Sequence, residues 1–241
     1  MPMIMRILLI IHVVLGGVGL VAFWVPIFSR KGGPAHRLFG KVYKACAYTV
    51  FATAGLAVLL RAGWYLAEGH TLATRPEAFG FLLFLGYLAL VTFVVVRHGV
   101  LVLQHKQDPR ELGTPLSTWL ARSAIAASAV VVAYAVLVSP TNKIILYALS
   151  PIGMLTGIGI LRYISKPPQT PRAWMYEHLG SMIGGGIAFH TAFAVFGSTR
   201  LFDIGLDGWI GVIPWIAPAA IGIPGTILWT RHYRRKFGEL A

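Results

Sequence analysis

Acidic side chains are scarce in this chain. Eight Asp and Glu stand against 21 Lys and Arg in 241 residues. None lies deep in an apolar run, and Glu177 sits close to the end of one. This argues against a proton pump or a cation-coupled carrier, whose relays use buried carboxylates. Charged residues of either sign make up only 12% of the chain, about half of what a soluble domain carries. Cysteine occurs once, at Cys46, which excludes an internal disulfide and a cysteine cluster for zinc or iron–sulfur. There is no Walker loop, no G-x-S-x-G and no H-E-x-x-H, which argues against a soluble-type hydrolase or nucleotide enzyme.

Apolar residues, in contrast, fill 56% of the chain, and mean hydropathy is +0.71. They form runs of about 20 residues, each able to cross a hydrocarbon core as a helix. Backbone polar groups in lipid must be satisfied within each segment, and no alternating ~10-residue strands are visible. The expectation is an all-α bundle of seven transmembrane helices in one domain, 1–241. The spans fall at about 4–28, 42–66, 79–103, 118–138, 144–164, 174–197 and 209–229. The first apolar run is longer than a signal-peptide core and lacks a small-residue cleavage site, so it reads as a retained helix. Residues 29–44, SRKGGPAHRLFGKVYK, read as a compact basic loop, and SPTNK at 139–143 reads as a tight turn. Pro214, Pro218 and Pro224 are expected to kink the last span. The weakest boundary lies around residues 200–208. No internal repeat is visible, which argues against an inverted-repeat transporter.

The net charge of +13 would suggest nucleic acid in a soluble protein. Here the basic residues cluster between spans. With seven spans, sixteen of the 21 fall on one side and five on the other. The positive-inside rule then puts the N-terminus outside and the C-terminus in the cytoplasm of a membrane, on this pattern a bacterial inner membrane. The partners expected are the lipid bilayer and, on the cytoplasmic side, anionic headgroups; no nucleic acid is expected. Trp24, Trp64, Trp119, Trp174, Trp209 and Trp229 lie near span ends, as an interfacial belt would.

With carboxylates missing from the spans, histidines are the remaining intramembrane candidates. At 1.5 Å rise per residue, His12 and His190 lie roughly 12 and 10 Å from the outer ends of their spans. His178 and His98 lie roughly 6 and 7 Å from the inner ends. Gly16 and Gly186 stand one turn from the outer two. Two imidazole pairs at two depths, with glycine making room for a flat macrocycle, is how a membrane b-type cytochrome holds haem. His12, His190, His98 and His178 are thus candidate ligands for haem b or another metal. Thr191 or a backbone carbonyl would fix the ligand tautomers. The plain alternative is that these histidines bond neighbouring helices and that Gly184, Gly185 and Gly186 permit close packing. A second candidate site, for an anionic lipid or ligand, groups Lys31, His36, Arg37 and Lys41.

Three pieces carry a family resemblance. They are His12 with its Gly-rich half-helix; G-x-x-H-R-x-x-G-x-x-Y at Gly33, His36, Arg37, Gly40 and Tyr43; and W-M-x-x-H-x-x-x-M…T-A-F at Trp174, Met175, His178, Met182, Thr191, Ala192 and Phe193. Together they resemble bacterial polytopic membrane proteins grouped as a domain of unknown function, family 2306. The resemblance covers about a third of the chain. It implies a multi-helix inner-membrane protein and no particular activity, and it marks His12, His36, Arg37 and His178 as the matching positions. It also leaves open a site built from His12, His36 and His178. The functions that remain are a haem-binding or redox-associated membrane protein, a small-molecule, lipid or ion translocator with a basic gate, and a non-catalytic assembly subunit.

Overall fold

Residues 3–138, 143–166, 168–197 and 211–240 are described by the computed structural model. They are helical, with no strand among them, and supply seven segments long and apolar enough to cross a membrane. The helices are α1 (Met3–Phe28), α2 (Pro34–Ala67), α3 (Pro76–Leu101), α4 (Pro115–Leu137), α5 (Lys143–Leu149), α6 (Pro151–Ser165), α7 (Ala173–Ala192) and α8 (Ile213–Lys236). Phe193–Gly197 extend α7 as a π-helical turn. The expected turn at 139–142, the boundary at 200–208 and the first residues of the seventh span lie outside the described residues.

Two helix bounds differ instructively from the hydropathy reading. α2 begins eight residues before the expected span, so most of the anticipated basic loop is helix. Pro34 occupies the first turn, where its missing N–H costs nothing. Charged residues end a hydropathic window but not a helix. The fifth span is broken at Ser150–Pro151 into α5 and α6. Pro151 has no N–H to give the Tyr147 carbonyl, which accepts from Ser150 Oγ instead (3.2 Å). The Tyr87 hydroxyl also serves the break, sharing its one proton between Leu149 O (2.9 Å) and Ser150 O (2.8 Å) and accepting from the Gly153 N–H (2.8 Å).

α3 is the central helix. It packs against α2, α4, α6 and α7 and buries Phe84, Tyr87, Val91, Val94, Val96 and His98 around its circumference. α4 and α6 form a close pair. Cβ atoms placed at Gly153 or Gly157 would run into α4: at Gly153, 2.6 Å from Ser128 Oγ and 2.7 Å from Ala124 O. This is the small-residue approach typical of membrane helices. α1 and α2 form a second pair, and α7 joins them to α3. α8 leans mainly on α7, where Gly222 abuts Ile187, and touches α3 through Trp215 on Phe84; it buries none of its residues. Pro218 and Pro224 lie inside this helix, which continues through both.

The connection between α3 and α4 is packed rather than open. Asp108 caps a 3-10 turn over Pro109–Leu112, accepting from the Arg110 N–H, and Leu112 is buried among Val94, Val102, Ile160 and Ile164. The Arg110 side chain, bonded to Asp108, holds that carboxyl below its ordinary value. At the same end of the bundle the chain's tail closes on α7. Gly238 takes a left-handed conformation (φ 67°) and ends α8. Glu239 then accepts from Tyr176 Oη (2.6 Å) and Arg172 (3.2 Å) at the α7 N-terminus. Burial pushes the Glu239 carboxyl up, and those hydrogen bonds with the Arg172 charge outweigh it, leaving the group below its ordinary value.

Candidate functional site

The two outer histidines are not brought together. His12 on α1 faces α2, its Nδ1 3.1 Å from the Thr53 hydroxyl. That hydroxyl donates to carbonyls of its own helix and so has its oxygen free to accept. His190 on α7 meets α1 at Trp24, twelve residues further along than His12, or about 18 Å of helix rise. Both ring nitrogens of His190 are engaged. Nδ1 donates to Gly186 O at 2.7 Å, and Nε2 accepts from the Trp24 indole at 3.0 Å. This pair of bonds fixes the neutral tautomer and leaves no nitrogen for iron.

The room expected beside Gly186 is filled by the Phe23 ring, which a Cβ would overlap. Gly16 faces open space, with nothing nearer than Val50 Cγ2 at 4.0 Å. A haem held by His12 and His190 therefore does not fit, and we correct that expectation. Residue-counted depth misled because α1 and α7 are displaced along their axes. Trp24, taken for an interfacial anchor, is a hydrogen-bond partner to a histidine of another helix.

The inner histidines do share a level, where α3 crosses α7. His98 is 5% exposed and donates from Nε2 to Glu177 Oε1 at 2.8 Å, with the Tyr163 ring edge-on at 5.5 Å. His178, the next residue of α7, turns the other way and donates from Nδ1 to Gly99 O at 2.7 Å. With its Nε2 taken by a carboxylate, His98 does not pair with His178 as a second axial ligand through that atom. The predicted carbonyl orienter is present for His178 and His190, and Thr191 is not used.

The basic cluster divides into two. Lys31 turns inward and caps α1, donating to Pro26 O (2.6 Å) and Ile27 O (2.7 Å) with Trp229 beneath its ammonium at 4.4 Å. Burial lowers the Lys31 ammonium from its ordinary value. His36 Nδ1 bonds Pro26 O at 3.3 Å. Arg37 and Lys41, one turn apart on α2, are exposed. His36 lies within electrostatic reach of His178, and Lys106 of the α3–α4 connection is also near. Tyr43, the last position of the H-R-x-x-G-x-x-Y run, is 1% exposed beside Gly185, packed on Phe23 and Phe189.

No family model, curated protein or solved structure matches this chain. The resemblance to family 2306 thus rests on the quoted motifs alone. Among the described residues no three of His, Cys, Asp and Glu converge as a metal site.

What the structure assembles is a polar layer near one end of the bundle. It contains His98 with Glu177, His178 on the Gly99 carbonyl and His36 on the Pro26 carbonyl. Glu177, not singled out as a site residue from sequence, is its centre. The available signal was its position: it is the one carboxylate inside the sixth apolar run. A carboxylate–imidazole pair withdrawn from water costs more than apolar packing of the same volume. Beside it, between α6 and α7, lies a groove open to the outer face of the bundle, lined by residues of α3, α6 and α7, Glu177 among them.

Proposed function

We propose that this integral membrane protein binds, and on the translocator reading passes, a small molecule or lipid through the layer centred on His98 and Glu177. The observation that carries this is the pair itself. A 2.8 Å imidazole–carboxylate contact with side-chain exposures of 6% and 29% is costly in a helix bundle. It adjoins the open groove between α6 and α7. Its test is native mass spectrometry of the protein in mild detergent. Wild type is expected to retain a small-molecule or lipid species that Glu177→Gln, equally folded, does not. Absence of any such species, or equal retention by both proteins, overturns the reading. In the same proposal the basic end faces the cytoplasm of a bacterial inner membrane, and exposed Arg37 and Lys41 engage anionic headgroups, at about 1 kcal/mol per charge.

One observation favours a second reading, a redox role with haem b. His36 and His178 each present Nδ1 to a backbone carbonyl, the orientation of a metal-bound imidazole, and neither Nε2 has a partner among the described residues. Haem would supply one-electron chemistry there, with Arg37 and Lys41 able to hold its propionates. Visible spectra before and after dithionite test it. A Soret band lost in His36→Ala and His178→Ala, and kept in His12→Ala and His190→Ala, would support it. A colourless protein from haem-sufficient cells would end it.

A further inference from the structure

The groove between α6 and α7 has features that packing does not explain. Its floor is Val95 of α3. One wall is Leu155, Thr156, Gly159 and Ile160 of α6; the other is Glu177, Gly180 and Ser181 of α7. Elsewhere the glycines of these two helices buy close approach, as Gly153, Gly157, Gly185 and Gly186 do. Gly159 and Gly180 do not: a Cβ at either would have nothing within 4 Å. The hydroxyls are also out of pattern. Thr49, Thr53, Thr92, Ser128 and Thr226 each return a hydrogen bond to the carbonyl four residues back. Thr156 and Ser181 make no such bond, and Ser181 is only 7% exposed. Glu177 gives one oxygen to His98 and keeps acceptor capacity for another donor.

The groove opens on the outer face of the bundle along Leu155, so a ligand reaches it from the bilayer. Charge selects the ligand. Glu177 repels an anion and calls for a hydrogen-bond donor, and entry from lipid favours a neutral donor over a hydrated cation, which would have to shed its water. The remaining lining, Val95, Leu155 and Ile160, is apolar, and Leu155 is 66% exposed on the outer face of the bundle. We propose that this groove binds a neutral hydroxyl-bearing amphiphile dissolved in the bilayer, an alcohol or phenol. Its hydroxyl donates to Glu177, Ser181 and Thr156 contact its polar edge from opposite walls, and its tail leaves past Leu155. This rests on the reading that the Glu177 layer handles a ligand, and it names the class of that ligand.

The test uses the full chain in nanodiscs with 4-heptylphenol and its methyl ether, which differ in the hydroxyl donor. Retention is measured by mass spectrometry against empty discs. Wild type is expected to retain the phenol about tenfold or more over the ether, as loss of a hydrogen bond to a charged acceptor predicts. Gly180→Leu, which fills the space, is expected to abolish that preference. Ser181→Ala with Thr156→Val is expected to cut it severalfold, and it carries the test if the leucine variant does not fold. Equal retention of phenol and ether by wild type overturns the proposal, as does an unchanged preference in these variants. If Glu177→Gln changes the endogenous species while phenol and ether bind alike, the ligand class is wrong and the layer keeps its role. If Glu177→Gln changes neither, both readings fall.

Discussion

Replacing Gly153 by alanine should loosen the seat of α6 on α4, which also sets one wall of the α6/α7 groove. The added Cβ would lie 2.7 Å from Ala124 O and 2.9 Å from Tyr87 Cε2, whereas ordinary contact begins near 3.4 Å. Clearing the carbonyl needs 3.4 − 2.7 = 0.7 Å of helix separation, and Ala124 O is backbone, so no rotamer change relieves it. Overpacking of this kind costs about 1–3 kcal/mol. Alanine in a helix returns about 0.5–1 kcal/mol relative to glycine. The net expectation is a loss of up to about 2.5 kcal/mol. Gly159→Ala is the internal control, because its Cβ enters open space and only the propensity gain remains. The two variants should therefore differ by about 1–3 kcal/mol in opposite directions from wild type. Thermal unfolding in detergent would read this as a difference of several degrees, at about 2–4 °C per kcal/mol for a chain of this size. A Gly153→Ala protein as stable as Gly159→Ala would refute the close approach of α6 to α4.

Tyr87→Phe should cost about 1–3 kcal/mol in the same assay, because the buried Gly153 N–H loses its acceptor; a neutral effect would mean that the α5–α6 break is satisfied otherwise. The tail should be pH-sensitive. Glu239 is held below its ordinary value, so its contribution is complete above that value and lost as pH falls through the lower, folded one. Hydrogen-exchange protection of residues 237–240, taken relative to the intrinsic rate at each pH, should fall on such acidification in wild type. In Glu239→Gln that protection should be low and independent of pH, and a pH-independent wild-type protection would remove the clasp as an ionic contact.

The seven long apolar runs read from hydropathy correspond to seven helical segments long and apolar enough to cross a membrane, because sustained apolarity is a signal that packing does not mask. Hydropathy placed the starts of the fourth and sixth spans, at about 118 and 174, within a few residues of the observed helix starts at Pro115 and Ala173. It missed the early start of α2, since Arg37 and Lys41 look like loop residues to a hydropathic window while favouring helix. The break before Pro151 was readable from proline chemistry, but the rescue by Tyr87 was not, because the partner is 63 residues away. The histidine sites were the least legible. Depth can be counted from a span end, but axial offset and rotation of neighbouring helices cannot. Those two quantities sent His190 to Trp24 and His98 to Glu177. Glu177 was visible as an isolated acid, and what it lacked in the sequence was its partner.

α2 has 34 residues, so it is about 51 Å long. Lying wholly inside a ~30 Å hydrocarbon core would need a tilt beyond 50°, outside the 0–40° range of membrane helices. Even at 40° it would span about 39 Å along the bilayer normal and overshoot the core by about 9 Å. Some of α2 must therefore stand among headgroups and water. The turn bearing His36, Arg37 and Lys41 is the part best suited to do so. That turn continues without a break into the stretch of α2 buried against its neighbours, which begins at Tyr43, so one helix joins the charged surface to the packed interior.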